Sequence, residues 1–202
     1  FEEFVEGAPH RLDGRAKYRE WDHEFPETNF TFAMPVVYTW DPIYNWYDFD
    51  EGDYRWFYNI LLVASNAGAH TSADVPIIPF VHWHTTWIRA EDSSVKQFSE
   101  ERYIDLLWHM LLRGHDTFFL WCPSDQAGKE SSLVHQVYAE SLEYKDFLDG
   151  GVPVTFDVPS SPGSVVSGLR LPDRVLVRRT DFTDSNQPVS LDFDGRTIEV
   201  PR

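Results

Sequence analysis

The residues best suited to chemistry in this chain are His82 and His84, which flank Trp83. In an extended strand, side chains at i and i+2 project to one face, so both imidazoles can point into one cleft. Imidazoles so placed can bind a sugar, transfer a proton or ligate a metal. The chain has no second cluster at ligand spacing, so no metal or other cofactor is expected. Carboxylates form the second set. Asp41 and Asp48 follow Tyr38 and Trp40, and Asp125 follows Trp121. Glycoside hydrolysis needs acids in pairs, about 5–5.5 Å apart for retention of configuration and about 6.5–9.5 Å for inversion. Around these groups lie rings: Tyr38, Trp40, Trp46, Trp87 and Trp121. The C–H faces of a pyranose pack on Trp and Tyr while neighbouring polar groups bond its hydroxyls. Asp41, Asp48, His82 and His84 are therefore the candidate catalytic residues. Tyr38, Trp40, Trp46, Trp87, Trp121 and Asp125 are the candidate substrate contacts.

Other reactive types read as structural. His109, His115 and His135 fall in or beside helices and are expected at the surface or at helix ends. Cys122 has no adjacent base in sequence and reads as a buried, inert thiol. Arg178 and Arg179 read as strand-edge residues.

Three strand–helix units must position the candidates. The first strand is the run Phe30 to Trp40, rich in β-branched and aromatic residues, and Asp53 can cap the helix that follows it to near Gly68. The second is Val75 to His84, where Pro79 removes a ladder donor. Its helix has Ser99 as N-cap, Glu100 and Glu101 in the first turn, a Phe98–Tyr103 staple and Gly114 as terminator. The third strand is Thr117 to Cys122, and its helix is expected to start at Ser131 or Ser132 and end at Gly150-Gly151. A short helix near Arg15–Glu24 is possible. After Gly151 the period changes from 3.6 to 2. Val154–Val158, Val165–Leu171, Arg174–Arg179, Val189–Phe193 and Thr197–Val200 read as antiparallel strands, the last two joined by an Asp194-Gly195 turn.

Repeated strand–helix alternation implies parallel strands joined by crossovers. Three parallel strands with apolar runs make a poor domain alone, because both faces of a parallel sheet need cover. The expected fold class is therefore α/β: residues 1–151 as the closing units of a (β/α)8 barrel that is incomplete in this chain, and residues 152–202 as a small all-β module. A small open α/β sheet is the rival. In a barrel, the strand carboxyl ends that carry the rings, imidazoles and acids form one rim.

The chain has 202 residues and a formal net charge of -16, of which -15 falls before Pro153. Such a surface repels nucleic acid phosphates and anionic lipid, so neither nucleic acid nor membrane is an expected partner. No apolar run approaches bilayer-spanning length. The βα turns lack a phosphate-cradling glycine loop, which argues against nucleotides. One cysteine cannot form an intrachain disulfide. The chain starts at Phe1 with no basic-then-apolar leader, as expected if a leader has been removed or if it is part of a longer polypeptide.

The runs Pro35 to Trp40, Pro76 to His84 and Thr117 to Pro123, the last preceded by Leu111-Leu112-Arg113-Gly114-His115-Asp116, resemble the last barrel strands of polysaccharide-acting (β/α)8 glycoside hydrolases, hyaluronidase-like ones being the nearest variety. The tail, with Arg174 to Arg179 and Asp194-Gly195-Arg196, is similar to the β modules that follow such barrels. The resemblance implies an endo-acting enzyme on a polysaccharide or oligosaccharide, secreted or periplasmic, with the missing N-terminal part of the barrel as a structural partner. It transfers no catalytic carboxylate, because in those enzymes the acids lie on an earlier strand. A non-catalytic carbohydrate-binding protein and a metal-dependent hydrolase using His82 and His84 are the alternatives.

Overall fold

The computed structural model describes residues 31–36, 54–83, 99–122 and 125–202. Within them the chain is a mixed α/β protein. Helix α1 spans Tyr54–His70, β1 Phe80–Val81, α2 Glu100–Leu111, β2 Phe119–Leu120 and α3 Ala127–Ser141. A 3-10 turn, Leu142–Tyr144, leads into the short α4, Lys145–Gly150. Five strands follow: β3 Val152–Pro153, β4 Ser164–Arg170, β5 Val175–Asp181, β6 Val189–Phe193 and β7 Arg196–Val200.

The three expected parallel segments are present and adjacent in chain order. Ala33 bridges Ile77 in parallel, and β1 pairs with β2 in parallel. The ladder runs across all three: Ile78 N donates to Ala33 O, Phe80 N to Pro35 O, Phe119 N to Pro79 O and Trp121 N to Val81 O, at 2.8–3.0 Å. Pro79, which has no N–H to give, accepts through its carbonyl and leaves the ladder intact on that side. The formal strands are only two residues long, much shorter than the apolar runs suggested.

Burial alternates along the first segment, Phe32 to Pro35, and across Ile77 to Val81 of the second. Val81 and Trp83 are buried on the helical side, in one core with Phe57, Leu61, Leu107, Leu133 and Val137 of α1, α2 and α3, while Ala33 and Ile77 form a smaller cluster with Ala67 of α1. The intervening residues face the other way. Phe32, Met34 and Phe119 stand 42%, 40% and 44% exposed, and Phe119 stacks on Phe80 with ring centroids 5.8 Å apart. Among the described residues, helices cover one face of this parallel sheet only.

Helix α2 begins as its sequence indicates: the Ser99 hydroxyl accepts from Arg102 N at 3.2 Å. It stops at Gly114, whose φ of 87° is the left-handed conformation that glycine adopts without a Cβ clash. Two expectations need correction here. Helix α3 starts at Ala127, one turn before Ser131, whose hydroxyl instead donates back to Ala127 O inside the helix. The helical run to Gly150 is also broken by the 3-10 turn, so it comprises two helices.

In the C-terminal part, β3–β4–β5 form an antiparallel sheet and β6–β7 a hairpin. Asp194 and Gly195 both have positive φ, 48° and 71°, as a two-residue type I′ turn demands. The expected strand Val154–Val158 is not formed; pairing ends at Pro153, and only Val154 N adds a further bond, to Gly168 O. The sheet packs on α1 and α2 through a buried polar network. Arg113 donates to the Ser167 and Ser65 hydroxyls (2.7 and 2.6 Å) and to the carbonyls of Asp157 and Val166 (2.9 and 3.0 Å). His109 joins Ser167 and Thr180 at 2.7 and 3.0 Å. His109 and His115, expected at the surface, are buried instead; His135 is exposed as expected. The helix periodicity placed His109 correctly on α2, but only the packing of β4 and β5 covers it.

Candidate functional site

Parallel strands that end side by side bring their following residues to one rim. Here Trp83 follows β1, and Trp121 and Cys122 follow β2. Alternation from β1 and β2 carries His82 and Trp121 onto the face that no described helix covers, beyond Phe80 and Phe119, while Trp83 and Cys122 turn toward the helices. His82 is only 3% exposed, and Trp121 is half-buried. Asp125 precedes α3 and is exposed to solvent. The structure therefore brings His82 and Trp121 to the same end of adjacent strands. Tyr38, Trp40, Asp41, Trp46, Asp48, His84 and Trp87 lie outside the described residues.

Behind the rim, on the helical side, is a feature the sequence reading missed. Glu130, in the first turn of α3, is fully buried. Its Oε1 accepts from the backbone N of Trp83 at 3.0 Å and from the Tyr103 hydroxyl at 2.7 Å. The Cys122 thiol reaches the same carboxyl, and Oε2 is buried with no hydrogen-bond partner among the described residues. One carboxyl thus ties together the ends of both strands, α2 and α3. The preceding residue, Lys129, holds its ammonium 4.9 Å from the centre of the Trp83 ring and pairs with Glu100 of α2. In sequence, a glutamate in the first turn of a helix looks like an ordinary complement to the helix dipole, so nothing local marked it.

Burial sets the electrostatics. Removing the Glu130 carboxyl from water raises its pKa above the ordinary value, against the lowering effect of the Tyr103, Trp83 and Cys122 hydrogen bonds. Burial, and then the negative field of Glu130, pushes the Tyr103 phenol well up. The same two causes raise the Cys122 thiol, so it stays protonated and is a poor nucleophile. The thiol expected from sequence to be buried is only half-buried.

Among the described residues, no three His, Cys, Asp or Glu side chains are grouped to hold a metal ion. A groove of about 720 Å³ lies elsewhere, between β2, α3 and α4, with His115, Thr117, Phe118, Val134 and Tyr138 in its walls. It opens beside the amino end of β2, opposite the rim. No helix among the described residues is long and apolar enough to cross a membrane. Compared with known proteins, the chain matches no family model, no curated protein and no solved structure.

Proposed function

We propose that this chain is part of a polysaccharide-degrading enzyme, an endo-acting glycoside hydrolase, with its cleft at the carboxyl ends of the parallel strands. The observation that carries this reading is the sheet face that no helix among the described residues covers. Phe32, Met34, Phe80 and Phe119 line it, and His82 and Trp121 stand at its carboxyl-end rim. Large apolar side chains on a parallel sheet are costly to leave in water. Closure of the sheet into a (β/α)8 barrel would turn that face into a packed interior and its rim into a cleft. The sequential order of the three strands, and the packing of α1 on α2 and α2 on α3, support the same architecture. So does the free outer edge of β2, where the backbone groups of Phe118 and Leu120 point away from β1 without partners among the described residues. The remaining strands would be the structural partner expected from sequence.

In this reading Trp121 stacks on a sugar ring, and His82 bonds a hydroxyl or moves a proton. The acid pair would come from residues such as Asp41 and Asp48 or from the rest of the barrel. Action on a polymer fits a secreted or periplasmic location. To test the reading, reducing ends released from a panel of polysaccharides are measured for the full-length protein and for Trp121→Ala and His82→Ala. The expected result is release by the parent and a loss of about 10- to 100-fold in kcat/KM for each variant. Unchanged rates in both variants would remove the cleft. Retention of polymer without any release would convert the reading to a carbohydrate-binding protein.

A further inference from the structure

Glu130 is buried at the junction of four elements and takes no part in the cleft as drawn above, since it lies on the helical side of the sheet. Its geometry nevertheless bears directly on the rim. The Trp83 peptide N–H ends on Glu130 Oε1 at 3.0 Å, and the Trp83 ring lies under the Lys129 ammonium at 4.9 Å. Two consecutive residues of α3 thus grip the backbone and the ring of one residue. That residue directly follows His82, which alternation places on the cleft face. Tyr103 holds the grip in place, because its hydroxyl donates to the same Oε1 at 2.7 Å, and the Lys129–Glu100 ion pair ties α3 to α2 a second time.

We propose that Glu130, assisted by Tyr103 and Lys129, is a positioning residue for the strand-end segment around Trp83, fixing the direction in which the adjacent His82 meets a bound saccharide. The inference rests on the cleft reading for its link to turnover, and on geometry alone for the grip itself. What the grip requires of position 130 is an oxygen acceptor at Oε1. It requires neither the negative charge nor the proton. A displacement of about 1 Å at a reacting group costs on the order of 100-fold in rate, so loss of the acceptor reaches the cleft without any contact to substrate.

The test compares Glu130→Gln, which keeps an acceptor oxygen, with Glu130→Leu, which fills the same space without one, in the full-length protein. Two measurements are made: amide hydrogen exchange at Trp83 without ligand, and kcat and KM on a polysaccharide that the parent degrades. Expected for Glu130→Gln are exchange and kcat/KM within about 3-fold of the parent. Expected for Glu130→Leu are exchange at Trp83 faster by at least about 10-fold and kcat lower by about 100-fold. Equal losses in both variants would overturn the proposal in favour of proton chemistry at Glu130, and parental behaviour of Glu130→Leu would overturn it outright. If Glu130→Leu does not fold, Tyr103→Phe and Lys129→Met take its place, with faster Trp83 exchange expected in each and parental exchange in both overturning the grip. A parent that degrades no polysaccharide defeats the function proposed above, while the exchange arm still decides the grip.

Discussion

His109 and His115 are buried as neutral rings. Arg113 Nε donates to the Ser167 hydroxyl, which also bonds His109 Nδ1, while His109 Nε2 bonds the Thr180 hydroxyl. His115 donates through Nε2 to Ala64 O at 2.9 Å, and its buried Nδ1 has no partner among the described residues. Burial, and then the nearby Arg113 and Arg178 charges, lowers His109 well below its ordinary pKa. Burial lowers His115 to about 4. A histidine depressed in the folded state stabilises it fully above the unfolded pKa of 6.5, and that contribution is lost as pH falls toward the folded value. The contribution of His115 is on the order of 3 kcal/mol, lost between about pH 6.5 and 4. Glu130, raised by burial, works in the opposite sense, losing stability as pH rises above the ordinary carboxyl range. Urea unfolding at pH 7 and pH 4.5 should therefore show a smaller pH dependence in His115→Gln, where the amide can still donate to Ala64 O, than in the parent. Equal pH dependence in the two proteins would refute the assignment.

At the level of elements, α2 has its two ends encoded by single residues. Ser99 starts it through the Arg102 N–H, and Gly114 stops the chain behind it in a left-handed conformation. A Cβ at Gly114 would meet only Pro153 Cγ at 3.6 Å, so an alanine there is strained in backbone conformation and not crowded. Ser99→Ala is expected to cost about 1 kcal/mol, and Gly114→Ala about 1–2 kcal/mol. The sites sit at opposite ends of the helix, so the double variant should equal the sum within about 0.5 kcal/mol by denaturant unfolding. These signals were legible because they are local: a side chain bonding three residues on, and a φ that only glycine adopts cheaply. The start of α3 was misread for the same reason. Ser131 and Ser132 have the right chemistry for a cap, but Gln126 takes that position with no side-chain bond, because Glu130 must enter the helix already turned toward Trp83.

Across the whole molecule, the β3–β4–β5 sheet is joined to the helices by polar bonds as well as apolar contact. Arg113 reaches β4 and the loop before it, Tyr58 exchanges two hydrogen bonds with Gly163, and Arg178 of β5 pairs with Asp105 of α2. Phe182 packs edge-on against Phe57 and Tyr58 of α1. Gly68 of α1 lies so close to the end of α2 that a Cβ there would fall 2.3 Å from Arg113 O. Arg113→Met removes the cation that this junction was built around and its bonds to the Ser65 and Ser167 hydroxyls and to the carbonyls of Asp157 and Val166. It is expected to cost about 3–5 kcal/mol, with the parent unfolding in one calorimetric transition. Two separate transitions in the parent would show that the junction does not couple the two parts.

From sequence alone, the parallel strand–helix alternation, the apolar face of each helix, the limits of α2 and the Asp194-Gly195 turn could be read, because each depends on residues within a few positions of one another. The candidate rings and imidazoles could be chosen by type, and His82 and Trp121 do end neighbouring strands. The burial of His109 and Arg113 and the grip of Glu130 on Trp83 depended on the tertiary structure. Each joins residues tens of positions apart, and a glutamate or arginine has the same local preferences whether it ends in water or against another element.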